Sequence, residues 1–190
     1  GLLEKAGDTT NALAYYKKVI AAEPKSEQAL AAAGRLDFAA GKYDQAHRLL
    51  QQADRETTGT GTVQSAPELK VMLQKSERIL ELSPSKKLPS RVRVERILIA
   101  RSIARKRFAS CSTQMQEAGK SPAQLQVLSS AWISKLAGAT QKELLQDSDA
   151  QDATVKLIFD TEAQTSQVCG PPGGDDALLL LLAQDTNSSD

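Results

Sequence analysis

A chain of 190 residues, 41% hydrophobic and 25% charged, has enough apolar material for one domain or two small ones, which excludes wholesale disorder. Lys and Arg number 24 against 23 Asp and Glu, and a net charge of +1 lacks the global basic field of a non-specific nucleic-acid binder. One His and two Cys leave almost no material for a metal site or a nucleophilic triad, so composition points away from catalysis, and no metal or cofactor is expected. The longest apolar run, Ala177 to Ala183, falls far short of the roughly 18 residues that cross a bilayer. The chain opens at Gly1-Leu2-Leu3-Glu4 inside a helical pattern, without a start Met or a signal-type stretch, as a segment cut from a longer chain would.

In chain order the period is helical almost throughout. Asp8 is a good N-cap for a helix to Glu23, with Ala12, Leu13, Tyr16, Val19 and Ile20 on one side; Pro24 ends it. A second helix from Ser26 to Ala40 carries Ala29, Leu30, Ala33, Leu36 and Ala40, and Gly41 stands where a left-handed cap is expected. A third, Lys42 to about Glu56, carries Tyr43, Ala46, Leu49, Leu50 and Ala53. Short turns make these antiparallel hairpins. The Gly, Thr and Ser of Thr57 to Ser65 predict a loop, after which Pro67 marks the first turn of a helix to about Leu82.

Beyond a second loop, Ser83 to Pro89, Ser90 is expected to cap a long helix to about Cys111. The next starts at Ser121-Pro122 with Leu125, Leu128, Trp132 and Leu136 spaced three to four apart. From about Asp149 to Val168 a helix is favoured over a short strand, because Asp152, Lys156 and Asp160 recur at i, i+4. Gly170 to Gly174 reads as a turn, with Asp175 or Asp176 capping a last helix, Ala177 to Ala183. Its unbroken leucines predict burial on most sides. Residues 185–190 are expected to fray.

An internal repeat carries more information than any local motif. At an offset of 34 residues Gly7 aligns with Gly41, Ala12 with Ala46, Tyr16 with Leu50 and Val19 with Ala53. The small residues let two helices approach, the larger ones fill the space between hairpins, and the helix between contributes Leu30 and Gly34. Over Leu2 to about Glu56 the pattern resembles the tetratricopeptide repeat, a 34-residue helix-turn-helix unit whose hairpins stack into a right-handed superhelix. Thr58 departs from the Pro expected at the second unit's end, and Asp37 from the usual aromatic.

An all-α fold is expected: a short repeat array over residues 1–56, which the resemblance implies, then a linker at 57–66 and a packed α-helical bundle over 67–184, which the loop composition and the helical period predict. The resemblance implies a non-catalytic scaffold binding a peptide or partner protein in the groove lined by each unit's first helix. That face carries Gln28, Ala31, Arg35 and Phe38. Clamps for a C-terminal carboxylate place Lys and Asn at matching points, which here read Ala31 and Arg35, so that clamp is not supported. The whole is similar to bacterial secreted or periplasmic tetratricopeptide proteins, an extracytoplasmic lean.

Between Lys86 and Arg107 lie nine basic residues and one acidic, a candidate footprint for nucleic acid or an anionic surface. At 100° per residue, however, Arg91, Arg93, Arg96, Arg101 and Arg105 form no single stripe. The 48 residues from Glu143 supply ten carboxylates and one Lys, so internal charge pairing is favoured over nucleic-acid binding. Cys111 and Cys169 fit either two buried thiols or one disulfide; both end helices beside turns, where an antiparallel bundle can bring them together. His47 is expected on the surface. Asp147 and Asp149 are expected in polar loops without an acid–base role. Asp175 and Asp176 sit where the Gly170–Gly174 turn would otherwise hold phosphate, and repel it. Asn187-Ser188-Ser189 matches a glycosylation acceptor. An enzyme site in the bundle would require a deep polar pocket around Asp152, Asp160, Glu162 or Arg101.

Overall fold

The structure is a computed structural model that describes residues 8–60, 66–134 and 138–187. Among these residues it has nine helices and no strand, an all-α fold. In order they are α1 Thr9–Ala22, α2 Glu27–Ala39, α3 Tyr43–Thr60, α4 Ala66–Leu82, α5 Ser90–Glu117, α6 Ala123–Ile133, α7 Gln141–Gln146, α8 Ser148–Cys169 and α9 Gly174–Asn187. The chain divides into two compact units, Gly1–Leu80 and Glu81–Asp190.

The first unit starts as the sequence predicts. Asp8 caps α1, its carboxylate accepting from the Asn11 amide at 3.1 Å. Gly41 has φ of 71°, while the Lys42 amide reaches back to the Asp37 carbonyl at 2.8 Å, so α2 ends in a Schellman turn. The small residues lie where helices touch: Ala12, Ala33 and Ala46 are buried. Gly34 marks the closest approach, since a Cβ there would stand 2.7 Å from Leu50 Cγ. Overpacking of this kind costs about 1–3 kcal/mol. Gly34→Val should therefore lower the first unit's stability by about that amount in urea denaturation, whereas Gly34→Ala should lose less, because Ala regains about 1 kcal/mol of helix propensity.

The predicted loop at Thr57–Ser65 begins later than expected, because α3 continues through Thr60. The buried stripe Ala46, Leu50 and Ala53 runs on to Thr57, whose hydroxyl donates to the Ala53 carbonyl at 2.9 Å and so needs no water. Residues 61–65, the remainder of that loop, lie outside the described residues, as do Gly7 and Leu136. The expected joint at 57–66 also differs from the division at Leu80, which falls within α4. Leu69 shares a core with Leu30, Ala31, Leu50 and Ala53, with Met72 and Leu73 packed against it, so most of α4 belongs with the repeat helices. His47, expected on the surface, is half-buried between α3 and α4: the Ser76 hydroxyl donates to the Leu73 carbonyl and lies within hydrogen-bond distance of His47 Nδ1, at 3.2 Å.

In the second unit α5 and α8 pack most extensively. Pro89, not Ser90, is the N-cap of α5, and the helix passes Cys111 to end at Glu117. Trp132 of α6 is buried against Phe108, with ring centroids 6.4 Å apart, and donates its indole N–H to Thr161 of α8. The α7 helix is not among the predicted elements. Thr140 and Glu143 form a capping box at its start, the Thr hydroxyl accepting from the Glu143 amide while the Glu carboxylate accepts from the Thr140 amide. Asp147, expected in a loop, caps α8 by accepting from the Asp149 and Ala150 amides. Asp175 and Asp176 lie inside the first turn of α9 rather than before it, and that helix continues through Asn187 instead of fraying at Asp185. Ser188, Ser189 and Asp190 lie outside the described residues. Leu178, Leu179 and Leu182 are buried, whereas Leu181 retains 37% exposure.

Candidate functional site

In the first unit, Gln28 and Arg35 are seven positions apart on α2, hence on one side of it, and both are exposed. Ala31, between them, is only 9% exposed, enclosed in the core that Leu69 of α4 completes. A small cavity of about 40 Å³ is left there, lined by Ala31, Arg35, Leu50, Glu68, Leu69 and Met72. Phe38 is half-buried and meets Tyr43 edge-on, with centroids 5.1 Å apart. The four predicted groove residues thus divide: Gln28 and Arg35 can meet a partner directly, Ala31 serves packing, and Phe38 presents part of one ring. Asp37, where the resemblance leads one to expect an aromatic, is fully buried, and its carboxylate oxygens have no hydrogen-bond partner.

In the second unit the basic helix does not present a stripe. Arg93 is buried: Nε donates to the Pro84 carbonyl, one terminal nitrogen donates to Gln151 at 2.8 Å, and the other pairs with Asp152. Arg96 donates to the Ser83 carbonyl, Arg101 to that of Ala139, and Arg107 to that of Gly170. Arg91 pairs with Glu95 one turn on. The guanidinium groups mostly tie loops and neighbouring helices to α5.

Beside Arg93 opens a cavity of about 640 Å³. One face of α8 forms much of it, through Asp152, Val155, Lys156, Phe159, Asp160 and Ala163. Pro84 and Leu182 add apolar surface, and Lys86 stands at the rim. Lys86 reaches Asp152 at 2.7 Å, and Lys156 reaches Asp160 at 2.7 Å. Hydrogen bonds from Lys86 and Arg93 hold the Asp152 carboxyl below the usual carboxylate range. Asp152 and Asp160 are therefore brought together at one cavity, while Glu162 and Arg101 do not line it.

Glu162 instead lies fully buried near Asp176 and Arg107. Burial pushes its carboxyl up to about 8, the adjacent Asp176 charge acts in the same direction, and Arg107 opposes both. Asp176 is raised as well, chiefly by burial. A proton on Glu162 facing Asp176 accounts for two carboxyls sharing one dry site. Sequence reading names Glu162 but not its partner, since only the packing of α9 on α8 brings Asp176 near it. Sulfurs of Cys111 and Cys169 are bonded, with Cα atoms 5.8 Å apart, which closes α5 to the end of α8. Among the described residues no group of three His, Cys, Asp or Glu is placed to hold a metal, and no helix is long and apolar enough to cross a membrane.

Residues 3–66 match the family profile of the tetratricopeptide repeat. This segment is a tetratricopeptide-like repeat. Its paired small residues, its glycine-ended α2 and the closeness of Gly34 to Leu50 are the local expression of that match. Beyond residue 66 the chain has no family assignment. Neither a curated protein nor a solved structure matches the chain significantly. Tetratricopeptide repeats are in general interaction scaffolds rather than catalysts, and the segment points to a protein partner.

Proposed function

We propose that the chain is a non-catalytic interaction scaffold that holds a peptide or partner protein against the α2 edge carrying Gln28, Arg35 and Phe38. The observation that carries this reading is the tetratricopeptide match over residues 3–66. Exposure of Gln28 and Arg35 on one side of α2 supports it, with part of the Phe38 ring adding apolar contact. Because α4 packs against Ala31, the partner meets an edge rather than a deep groove. The second unit's cavity supports holding rather than chemistry, since Asp152 is kept ionised by two cations instead of being poised as a general acid. An extracytoplasmic location, periplasmic or secreted, belongs to the same reading and is supported by the Cys111–Cys169 bond.

The test is retention of the native partner by the full chain and by a Gln28→Lys, Arg35→Glu double variant. The double variant should show at least tenfold weaker retention, with the helical circular dichroism unchanged. Equal retention by both proteins would remove the α2 edge as the binding site.

A further inference from the structure

The second unit's cavity has a composition that selects a ligand. At about 640 Å³ it lies within the range of about 300–1,000 Å³ typical of small-molecule sites. Its lining pairs an apolar surface, made by Pro84, Val155, Phe159, Ala163 and Leu182, with charges at one side.

Those charges do not cancel. Lys86, Arg93 and Lys156 face two carboxylates, Asp152 and Asp160, which leaves one positive charge in excess. Lys156 and Asp160 neutralise each other one to one. Asp152, by contrast, is shared by Arg93 and Lys86, so a single negative charge answers two positive ones. The two cations differ in freedom. Arg93 is fixed by bonds to Pro84, Gln151 and Asp152 and is buried, while the Lys86 side chain is 76% exposed and is held at the ammonium by Asp152. Lys86 can turn toward an incoming anion without breaking a buried network, and Arg93 continues to hold Asp152 in place.

We propose that this cavity binds a small amphiphilic acid, an apolar chain bearing one carboxylate. The chain lies on Val155, Phe159 and Leu182, and the carboxylate meets Lys86. A cationic amphiphile of the same length is disfavoured by the excess positive charge, and a neutral one gains only the apolar contacts. This inference rests on residues of the second unit alone and stands apart from the partner proposed for the α2 edge.

The experiment is isothermal titration of the full chain with decanoate, decylammonium and decanol at low salt, repeated for Lys86→Glu and Ala163→Trp. Lys86 is exposed but pairs with Asp152, so circular dichroism checks that both variants stay folded. The expected result is one saturable decanoate site, at least tenfold weaker for decanol and for decylammonium. Lys86→Glu weakens decanoate at least tenfold, and Ala163→Trp abolishes the site. Decylammonium binding as tightly as decanoate, decanoate unaffected by Lys86→Glu, or no saturable site would each overturn the proposal.

Discussion

Replacing Glu162 by Gln should make the second unit more stable at pH 8, because an amide fills the buried position without acquiring a charge there. The wild-type carboxyl is buried beside Asp176 and keeps its proton up to about pH 8, whereas in the unfolded chain it releases the proton near its ordinary value of 4.5. A folded-state value raised in this way contributes stability that is complete below the unfolded value and is lost as pH rises through the folded one. Over that window each pH unit removes about 1.4 kcal/mol, so several kcal/mol disappear between about pH 5 and pH 8. Asp176 is displaced in the same direction, while Arg107 offsets part of both. A Gln amide is of the same size and does not titrate. The measurement is urea denaturation at half-unit pH steps, followed by the fluorescence of Trp132, the chain's single tryptophan, which belongs to this unit. The wild-type curve should fall steeply toward pH 8 while that of Glu162→Gln stays flatter, the two separating by on the order of 3 kcal/mol. Parallel curves would show that Glu162 does not titrate in this window.

The second large effect is expected at the disulfide. Cys111 and Cys169 are 58 positions apart, and closing a loop of that length restricts the unfolded chain by about 4 kcal/mol in the chain-entropy account. The bond joins α5 to the end of α8, the two helices that form the centre of this unit. A Cys111→Ser, Cys169→Ser double variant should lose about 3–4 kcal/mol by the same Trp132 signal. The first unit's urea transition, followed by the absorbance of Tyr15, Tyr16 and Tyr43, the chain's three tyrosines and all in that unit, should not move. Mass spectrometry without reductant should find the wild-type chain lighter by two hydrogens than its reduced form. A double variant as stable as the oxidised wild type would contradict this account of the bond.

The parts of the fold that were legible depend on near neighbours along the chain. Ala12, Ala46 and Gly41 declare a hairpin because small residues and a left-handed cap are local requirements. The same locality misleads at Thr57–Thr60, where Gly and Thr suggest a loop but a buried stripe begun at Ala46 carries the helix on. At Thr140–Glu143 the capping box was present in the sequence as Thr-x-x-Glu, and its signal alone would have placed α7. The candidate sites are another matter. Arg93 reads as one of several arginines spread around its helix until α8 brings Asp152 and Gln151 to it, and Glu162 acquires its altered proton affinity from burial and from Asp176 on another helix. Ala31 had the right position for a groove, but Leu69, from beyond the recognisable repeat pattern, covers it. Charge, burial and cavity shape arise from packing between elements, and no local period encodes them.

The proposed partner site is the α2 edge of the repeat segment. A photo-crosslinking amino acid placed singly at positions 28, 35, 99 and 133 of the full chain, in its native source, tests this most directly. Ile99 and Ile133 are exposed side chains of the second unit and serve as the comparison. One discrete protein adduct is expected from positions 28 and 35, absent from 99 and 133 and lost when free partner peptide competes. Adducts from positions 99 or 133 with none from 28 or 35 would contradict it.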